Sequence, residues 1–310
     1  MEKLPSTCII VVGPTAVGKT ALAIRIAQHF KTEIVSADSR QCYRELNIGV
    51  ARPSEIELQQ VKHHFIASHS IREEMNAAAF ESFALSTVNE IFNHHDTVVM
   101  VGGTGLYIKA FTDSLDELPP VDTALRNNIV DSFRIHGIEW LQEQIREKDP
   151  LYYQTGEVQN PQRLMRALEV VMATGQSIRH YQSGKKAIRP FRVVKIGLDL
   201  PRDLLYQRIN NRVDMMMEQG LLHEVTYIYE NMPEFLASSP LQTVGYAELF
   251  DYLKGKIGLQ EAIEQIKAHS RQYAKRQLTW FKKDLSIQWF SPGQAEEVLQ
   301  WLTERINSGK

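Results

Sequence analysis

Apolar positions in this chain fall into two kinds of pattern. Short runs rich in β-branched residues stand at Cys8–Val12, Glu33–Ser36, Thr97–Val101 and Phe191–Leu198. Such continuous runs are what strands of a parallel sheet need when both faces are covered. Between the first two, Ala21–Phe30 carries helix formers with apolar residues at helical spacing. Strand, helix, strand in close succession predicts a βαβ unit and a parallel sheet flanked by helices, the α/β class.

The gap between the strands at 97–101 and 191–198 is too long for one crossover. Residues 121–186 read as several helices without a strand, starting after Pro119 and Pro120 and leaving through the polar segment Ser183–Lys186. The expected organisation is therefore an all-helical domain, 121–186, inserted into a core made of 1–120 and 187–310. From Arg202 onward the pattern is helical throughout, broken at Gly220, Pro233, Pro240 and Gly255.

The chemistry enters with the glycines. GPTAVGKT (Gly13, Pro14, Thr15, Ala16, Val17, Gly18, Lys19, Thr20) matches G-x-x-x-x-G-K-[ST] and lies between a strand and a helix, as a phosphate-cradling P-loop must. Its backbone N–H groups and the helix N-terminus attract an anion, Lys19 neutralises the terminal phosphate, and the Thr20 hydroxyl is a candidate ligand for Mg²⁺. The fold expectation becomes a P-loop NTPase-like sheet. After the second strand, Asp38 stands at the edge where ligands bind in such sheets. It can serve as a base towards an acceptor, orient an amino group, or simply cap a helix. The strand at 97–101 ends in Gly102–Tyr107, GGTGLY, with no acid where an ATPase or GTPase keeps its magnesium-holding carboxylate. Hydrolysis of a nucleotide is thereby disfavoured.

Composition adds limits. The chain is 43% hydrophobic and 23% charged with a net charge of −2, which excludes a wholly basic nucleic-acid binder but not a local basic face. Such a face is written at Lys267–Lys283, where six Lys or Arg occur without an acid and Lys267, Arg271 and Lys275 recur every four residues. Tyr273 and Trp280 are stacking candidates there; solvated helix with core aromatics is the plain alternative. Arg208 and Arg212 share one helical face, either towards a phosphate or in surface pairs with Asp214 or Glu218. Two cysteines, Cys8 and Cys42, imply reduced thiols and no disulfide framework. His63, His64, His69, His94 and His95 fit no zinc spacing, and Met215–Met217 reads as helix packing. No run approaches a membrane span or a signal peptide, so a soluble, cytoplasmic protein is expected, with monomer as the default.

Taken together, GPTAVGKT, SADSRQ (Ser36–Gln41), GGTGLY, NPQRLMRALE (Asn160–Glu169) and KRQLTWF (Lys275–Phe281) resemble the tRNA dimethylallyltransferase family, also called tRNA isopentenyltransferases, in order and spacing over nearly the whole chain. The resemblance implies transfer of the dimethylallyl group of dimethylallyl diphosphate to N6 of the adenosine 3′ to the anticodon (nucleotide 37), releasing pyrophosphate without ATP. It implies that Asp38 is the base, that Thr104 lines the channel where base and prenyl carbon meet, and that Lys19, Thr20, Mg²⁺ and Arg212 hold the diphosphate. It further implies contacts to the tRNA anticodon stem-loop from Asp38, Ser39, Arg40, Gln41, Thr104, Arg126, Gln162, Arg163, Leu164, Met165 and Arg166. The same holds for Lys275, Arg276, Gln277, Leu278, Thr279, Trp280, Phe281 and Lys282. Eukaryotic members can carry a C-terminal zinc finger; the last residues here hold none, so the shorter bacterial form is expected. The competing readings are a P-loop small-molecule or nucleoside kinase, a non-catalytic RNA binder, and a prenyltransferase acting on free AMP, ADP or ATP. The basic helix and inserted domain favour a polymeric acceptor.

Overall fold

The computed structural model describes residues 5–308. Chain contacts divide it into two compact units, one running to Thr112 and resuming at Ile188, the other spanning Asp113–Ala187.

The larger unit is built on β1 (Thr7–Val12), every residue of which is buried. Its continuous apolar run is explained by its central position in the sheet. The chain continues through α1 (Lys19–His29), β2 (Ile34–Ser36), α2 (Glu55–Gln60), β3 (His63–His64), α3 (Ala77–Phe92), β4 (Thr97–Val101) and α4 (Gly105–Asp113). After the second unit come β5 (Arg192–Leu198), a helical series, and β6 (Ile287–Phe290) followed by the last helix, Ala295–Asn307. All pairings are parallel, in the order β3-β2-β4-β1-β5-β6. One core layer packs Leu22, Ile24 and Ile26 of α1 with Ile9, Val11, Val99 and Ile196 of the sheet and Val298 and Leu302 of the last helix.

The four expected strands are present with ends shifted by a residue at most. The α1 helix begins two residues earlier than its apolar pattern, because the P-loop delivers Lys19 and Thr20 directly into its first turn. Two strands escaped the pattern. β3 is only two residues long, and β6 lies where the chain was expected to be helical. Ile287–Phe290 is extended because it pairs with the free edge of β5, a partner some ninety residues earlier.

The second unit contains α5 (Thr123–Lys148), α6 (Pro150–Thr155) and α7 (Pro161–Thr174). α5 bends at Gly137, whose φ of 74° interrupts the helical run. Its core joins Ile129, Leu141 and Ile145 to Leu164, Leu168 and Val171. The unit begins at Asp113, ahead of Pro119 and Pro120, because its two ends are tied together: the Ala187 N–H donates to the Asp113 carbonyl (2.8 Å), and the Asp116 carboxylate accepts from Ser183 and Gly184.

The helical series that follows β5 is α8 (Arg202–Glu218), α9 (Leu221–Asn231), α10 (Ala247–Leu253) and α11 (Leu259–Phe281), with α12 the closing helix Ala295–Asn307. The breaks stand where glycine and proline predicted them. Gly220 separates α8 from α9 in a left-handed conformation.

Candidate active site

The loops after β1, β2 and β4 meet at the C-terminal edge of the sheet, the edge where open α/β folds bind ligands. The first is the P-loop. Gly18 caps α1 without any side-chain hydrogen bond, so the first-turn N–H groups are left for an anion. Lys19 Nζ donates back to the Pro14 carbonyl at 2.7 Å. Burial and the nearby Arg212 charge together lower its ammonium to about 7, with Asp38 opposing both. Two arginines of α8, one turn apart, reach this loop. Arg212 approaches the Thr15 hydroxyl and Arg208 the Val17 carbonyl, each at 3.4 Å. The alternative of pairing with Asp214 does not hold, since Asp214 takes Lys267 (2.8 Å).

The second loop presents Asp38. Its Oδ1 accepts from the backbone N–H groups of Arg40 (2.9 Å) and Gln41 (3.3 Å). That fixes the carboxylate and leaves Oδ2 for a substrate. Thr104 faces it from the third loop: its Oγ1 accepts from the Ser39 N–H at 3.1 Å and donates to the Ser39 hydroxyl at 3.4 Å. Tyr273 of α11 completes the group and lines the same space as Asp38. Burial, with the Asp38 carboxylate adding to it, pushes the Tyr273 phenol up to about 12.

The third loop is glycine-rich because α11 lies on it. A Cβ at Gly103 would stand 2.2 Å from the Gln277 amide nitrogen, and one at Gly105 would stand 2.2 Å from Trp280 Nε1. Tyr273, Gln277 and Trp280 are spaced i, i+4, i+7 and so form one helical face. Lys275, Arg276 and Thr279 are exposed to one side of it, the Arg276 guanidinium 5.8 Å from the centre of the Tyr273 ring.

Two adjoining cavities share Thr15, Ala16, Asp38, Arg212, Met216 and Tyr273. The larger, about 740 Å³, is polar and contains Lys19, Thr20 and Gln41. The smaller, about 180 Å³, is walled by Val50, Ile209, Val213, Val244 and Ile266. These apolar residues went unrecognised in the sequence, being scattered over four segments with nothing to mark them apart from core. Met216 lines both cavities and Met215 the larger one. The cavity wall at 48–49 is held by Glu224 of α9, which accepts from the Ile48 N–H (2.8 Å), the Gly49 N–H (3.2 Å) and the Tyr246 hydroxyl (2.5 Å).

Several residues read as tRNA contacts, from charge spacing or by resemblance, are placed otherwise. Lys267 and Arg271 do not form a free cationic stripe: Lys267 pairs with Asp214 and Glu264, and Arg271 bonds Asn210. Lys282 pairs with Asp199 at 2.9 Å while staying half exposed. The side chains of Gln277 and Phe281 are buried, Leu278 packs on the core, and Leu164 and Met165 belong to the core of the second unit. These five side chains pack inward, Leu278 only in part. Gln41 spends its amide on the Val50 and Ala51 carbonyls, and Arg40 bonds the Ser39 carbonyl. In the second unit Arg126 and Arg166 both pair with the buried Glu169, Arg163 pairs with Glu157, and Gln162 is exposed. Among the described residues no group of three or more His, Cys, Asp or Glu gathers at metal-binding distance, and no helix is long and apolar enough to cross a membrane.

Comparison with known proteins adds relatives. A family model described as IPP transferase matches residues 41–284. The chain is 44% identical over 301 residues to a tRNA dimethylallyltransferase of Christiangramia forsetii, covering 97% of this chain and 98% of that one. It is 44% identical over 307 residues to the tRNA dimethylallyltransferase of Flavobacterium johnsoniae, at 97% and 98% coverage. Among solved structures, a tRNA isopentenylpyrophosphate transferase from Bacillus halodurans superposes with a TM-score of 0.73 and 32% identity over 98% of both chains. A eukaryotic dimethylallyltransferase acting on tRNA gives a TM-score of 0.74 at 26% identity, over 89% of this chain and 70% of that one.

Proposed function

The chain belongs to the IPP transferase family, and on that premise we propose how its own residues carry out the family's reaction. The protein is a tRNA-modifying prenyltransferase. The donor is dimethylallyl diphosphate, and the acceptor is the N6 amine of the adenosine 3′ to the anticodon, nucleotide 37. The observation that carries this reading is the pairing of a cation-lined phosphate loop with an apolar cavity of about 180 Å³, Asp38 lying at the wall of both.

The diphosphate lies on the open N–H groups at the start of α1, between Lys19 and Arg212. The five-carbon chain occupies the smaller cavity, against Val50, Val213, Val244 and Ile266. The amine attacks the first prenyl carbon as the carbon–oxygen bond to the diphosphate breaks, and pyrophosphate leaves. Negative charge grows on the departing oxygen, where Lys19, Arg212 and the helix N-terminus stabilise it. The proton released from nitrogen passes to Asp38 Oδ2. An amine conjugated with a purine is a weak nucleophile, so Thr104 and Asp38 act as much by holding it in line as by accepting its proton. The Thr20 hydroxyl would supply a hard oxygen donor for Mg²⁺, which needs only one or two protein groups beside substrate phosphates. Such an ion would supply neutralisation of charge on the leaving group.

The exposed Lys275, Arg276, Thr279 and Trp280, together with Gln162 and Arg163, serve the anticodon stem-loop. Flipping the target base out of its stack brings it to Asp38. The enzyme acts as a monomer in the cytoplasm, where its tRNA substrates are. Replacing Lys275 and Arg276 by glutamine is expected to weaken tRNA binding and reduce the slope of log affinity against log salt by about 1–2. Filter binding at several salt concentrations measures this, and an unchanged slope removes α11 from the interface.

The test of the reaction is incubation with unmodified tRNA, Mg²⁺ and labelled dimethylallyl diphosphate, without ATP, followed by nucleoside analysis. Label on N6 of adenosine is the expected result. Consumption of ATP with a small acceptor, and no prenylated nucleoside, would return the site to phosphoryl transfer.

A further inference from the structure

Gln277 stands where the two glycine loops come closest to α11. Its Oε1 accepts from the Thr15 N–H of the P-loop at 2.8 Å, and its Nε2 donates to the Gly103 carbonyl at 2.9 Å. The side chain is 6% exposed. A donor at one end and an acceptor at the other allow a single orientation of the amide, and only glutamine at this reach satisfies both. The bridge spans 262 residues to one loop and 174 to the other. The loop carrying Gly103 also carries Thr104, and the loop carrying Thr15 also carries Lys19. This amide therefore ties the diphosphate cradle to the loop of Thr104 beyond the point where the β1–β4 pairing ends at Val11 and Val101.

We propose that Gln277 is a positioning residue for prenyl transfer, bracing the phosphate loop against the second glycine loop so that the diphosphate carbon and the acceptor amine meet in line. It lines the larger cavity beside Lys19, but both ends of its amide are spent on the two loops. The proposal rests on the prenyl-transfer reading for its kinetic consequence, but the brace itself is a property of the phosphate site. In-line displacement tolerates little misplacement, and a shift of the order of an ångström between reacting groups costs about 100-fold. The close approach at Gly103 shows how tightly the amide is seated, since even a methyl group there would collide with it.

Gln277→Met keeps the shape and removes both hydrogen bonds. It is expected to lower kcat about 10- to 100-fold and weaken the binding of inorganic pyrophosphate several-fold, because two buried polar groups lose their partners. Affinity for tRNA and its salt slope stay within about twofold, as no contact to the phosphate backbone is removed. Gln277→Glu keeps an acceptor for the Thr15 N–H but loses the donor to Gly103 and adds a negative charge at the cavity wall; pyrophosphate affinity and kcat are expected to fall at least as far as in the methionine variant. That second variant carries the test if the first does not fold. Unchanged kcat and pyrophosphate affinity in a folded Gln277→Met protein would overturn the proposal, and so would a loss confined to tRNA affinity with a reduced salt slope. A wild-type protein that moves no prenyl group to tRNA sinks the transfer reading instead; pyrophosphate affinity in the two variants then decides the brace on its own.

Discussion

Asp38→Ala lowers kcat for prenyl transfer by about 10²- to 10⁴-fold, the range general acid–base groups contribute, while tRNA affinity changes less than about threefold. The reason lies in how the carboxylate is held. One oxygen is committed to the N–H groups of Arg40 and Gln41, so the loop shape depends on it, and the other is left for the amine. Asp38→Asn separates the two duties. Asparagine keeps an acceptor for the loop and another polar atom towards the substrate, but takes no proton at neutral pH. A fall in kcat equal to that of alanine assigns Asp38 to proton transfer, and near-full activity assigns it to orientation. Single-turnover rates with saturating tRNA measure both. A large loss of tRNA affinity at normal turnover would falsify the catalytic role.

Lys19→Met is the second large effect: about 10²- to 10³-fold in kcat, as for removal of one charge-stabilising donor, with a higher KM for the diphosphate. The pH dependence is specific to this site. Burial and Arg212 bring the Lys19 ammonium from 10.5 down to about 7 in the free protein. Above pH 7 the free enzyme therefore holds a largely neutral lysine, and an arriving diphosphate restores its proton. Diphosphate affinity should fall as pH rises through 7, and binding at pH 8 should take up a proton, seen calorimetrically as a dependence of heat on buffer ionisation. Lys19→Arg, always charged, should show no such uptake. Folding stability moves the other way. Between pH 7 and 10.5 the unfolded chain binds the proton that the folded one has lost, so this group makes the free protein more stable as pH rises through that window. Thermal melting of wild type against Lys19→Met at pH 6.5 and 8.5 reads the difference.

Much of the site was legible because the chemistry sits in contiguous segments. Gly13–Thr20 needs no partner elsewhere to be a phosphate loop, and Asp38 and Thr104 each follow a strand whose apolar run announces it. Arg212 was recognisable from its motif, though whether it faced phosphate or solvent depended on α8 packing beside Thr15. The basic run on α11 was misread in part for the same reason: charge spacing shows which residues share a face, not that Asp214 and Asn210 of another helix occupy part of it. β6 was invisible because four residues carry too weak a local preference, and the edge of β5 supplies the rest.

The sequence by itself determined the parallel α/β core, the helical insertion, the phosphate loop and the residues that end its strands, since these follow from local periodicity and from backbone conformations that few residue types allow. Only the tertiary structure decided the apolar wall of Val50, Ile209, Val213, Val244 and Ile266, the ties of Lys267 and Arg271, and the bridge made by Gln277. Each depends on side chains from distant segments meeting in space, and hydrogen bonding and burial are settled by the partner, which no local pattern encodes.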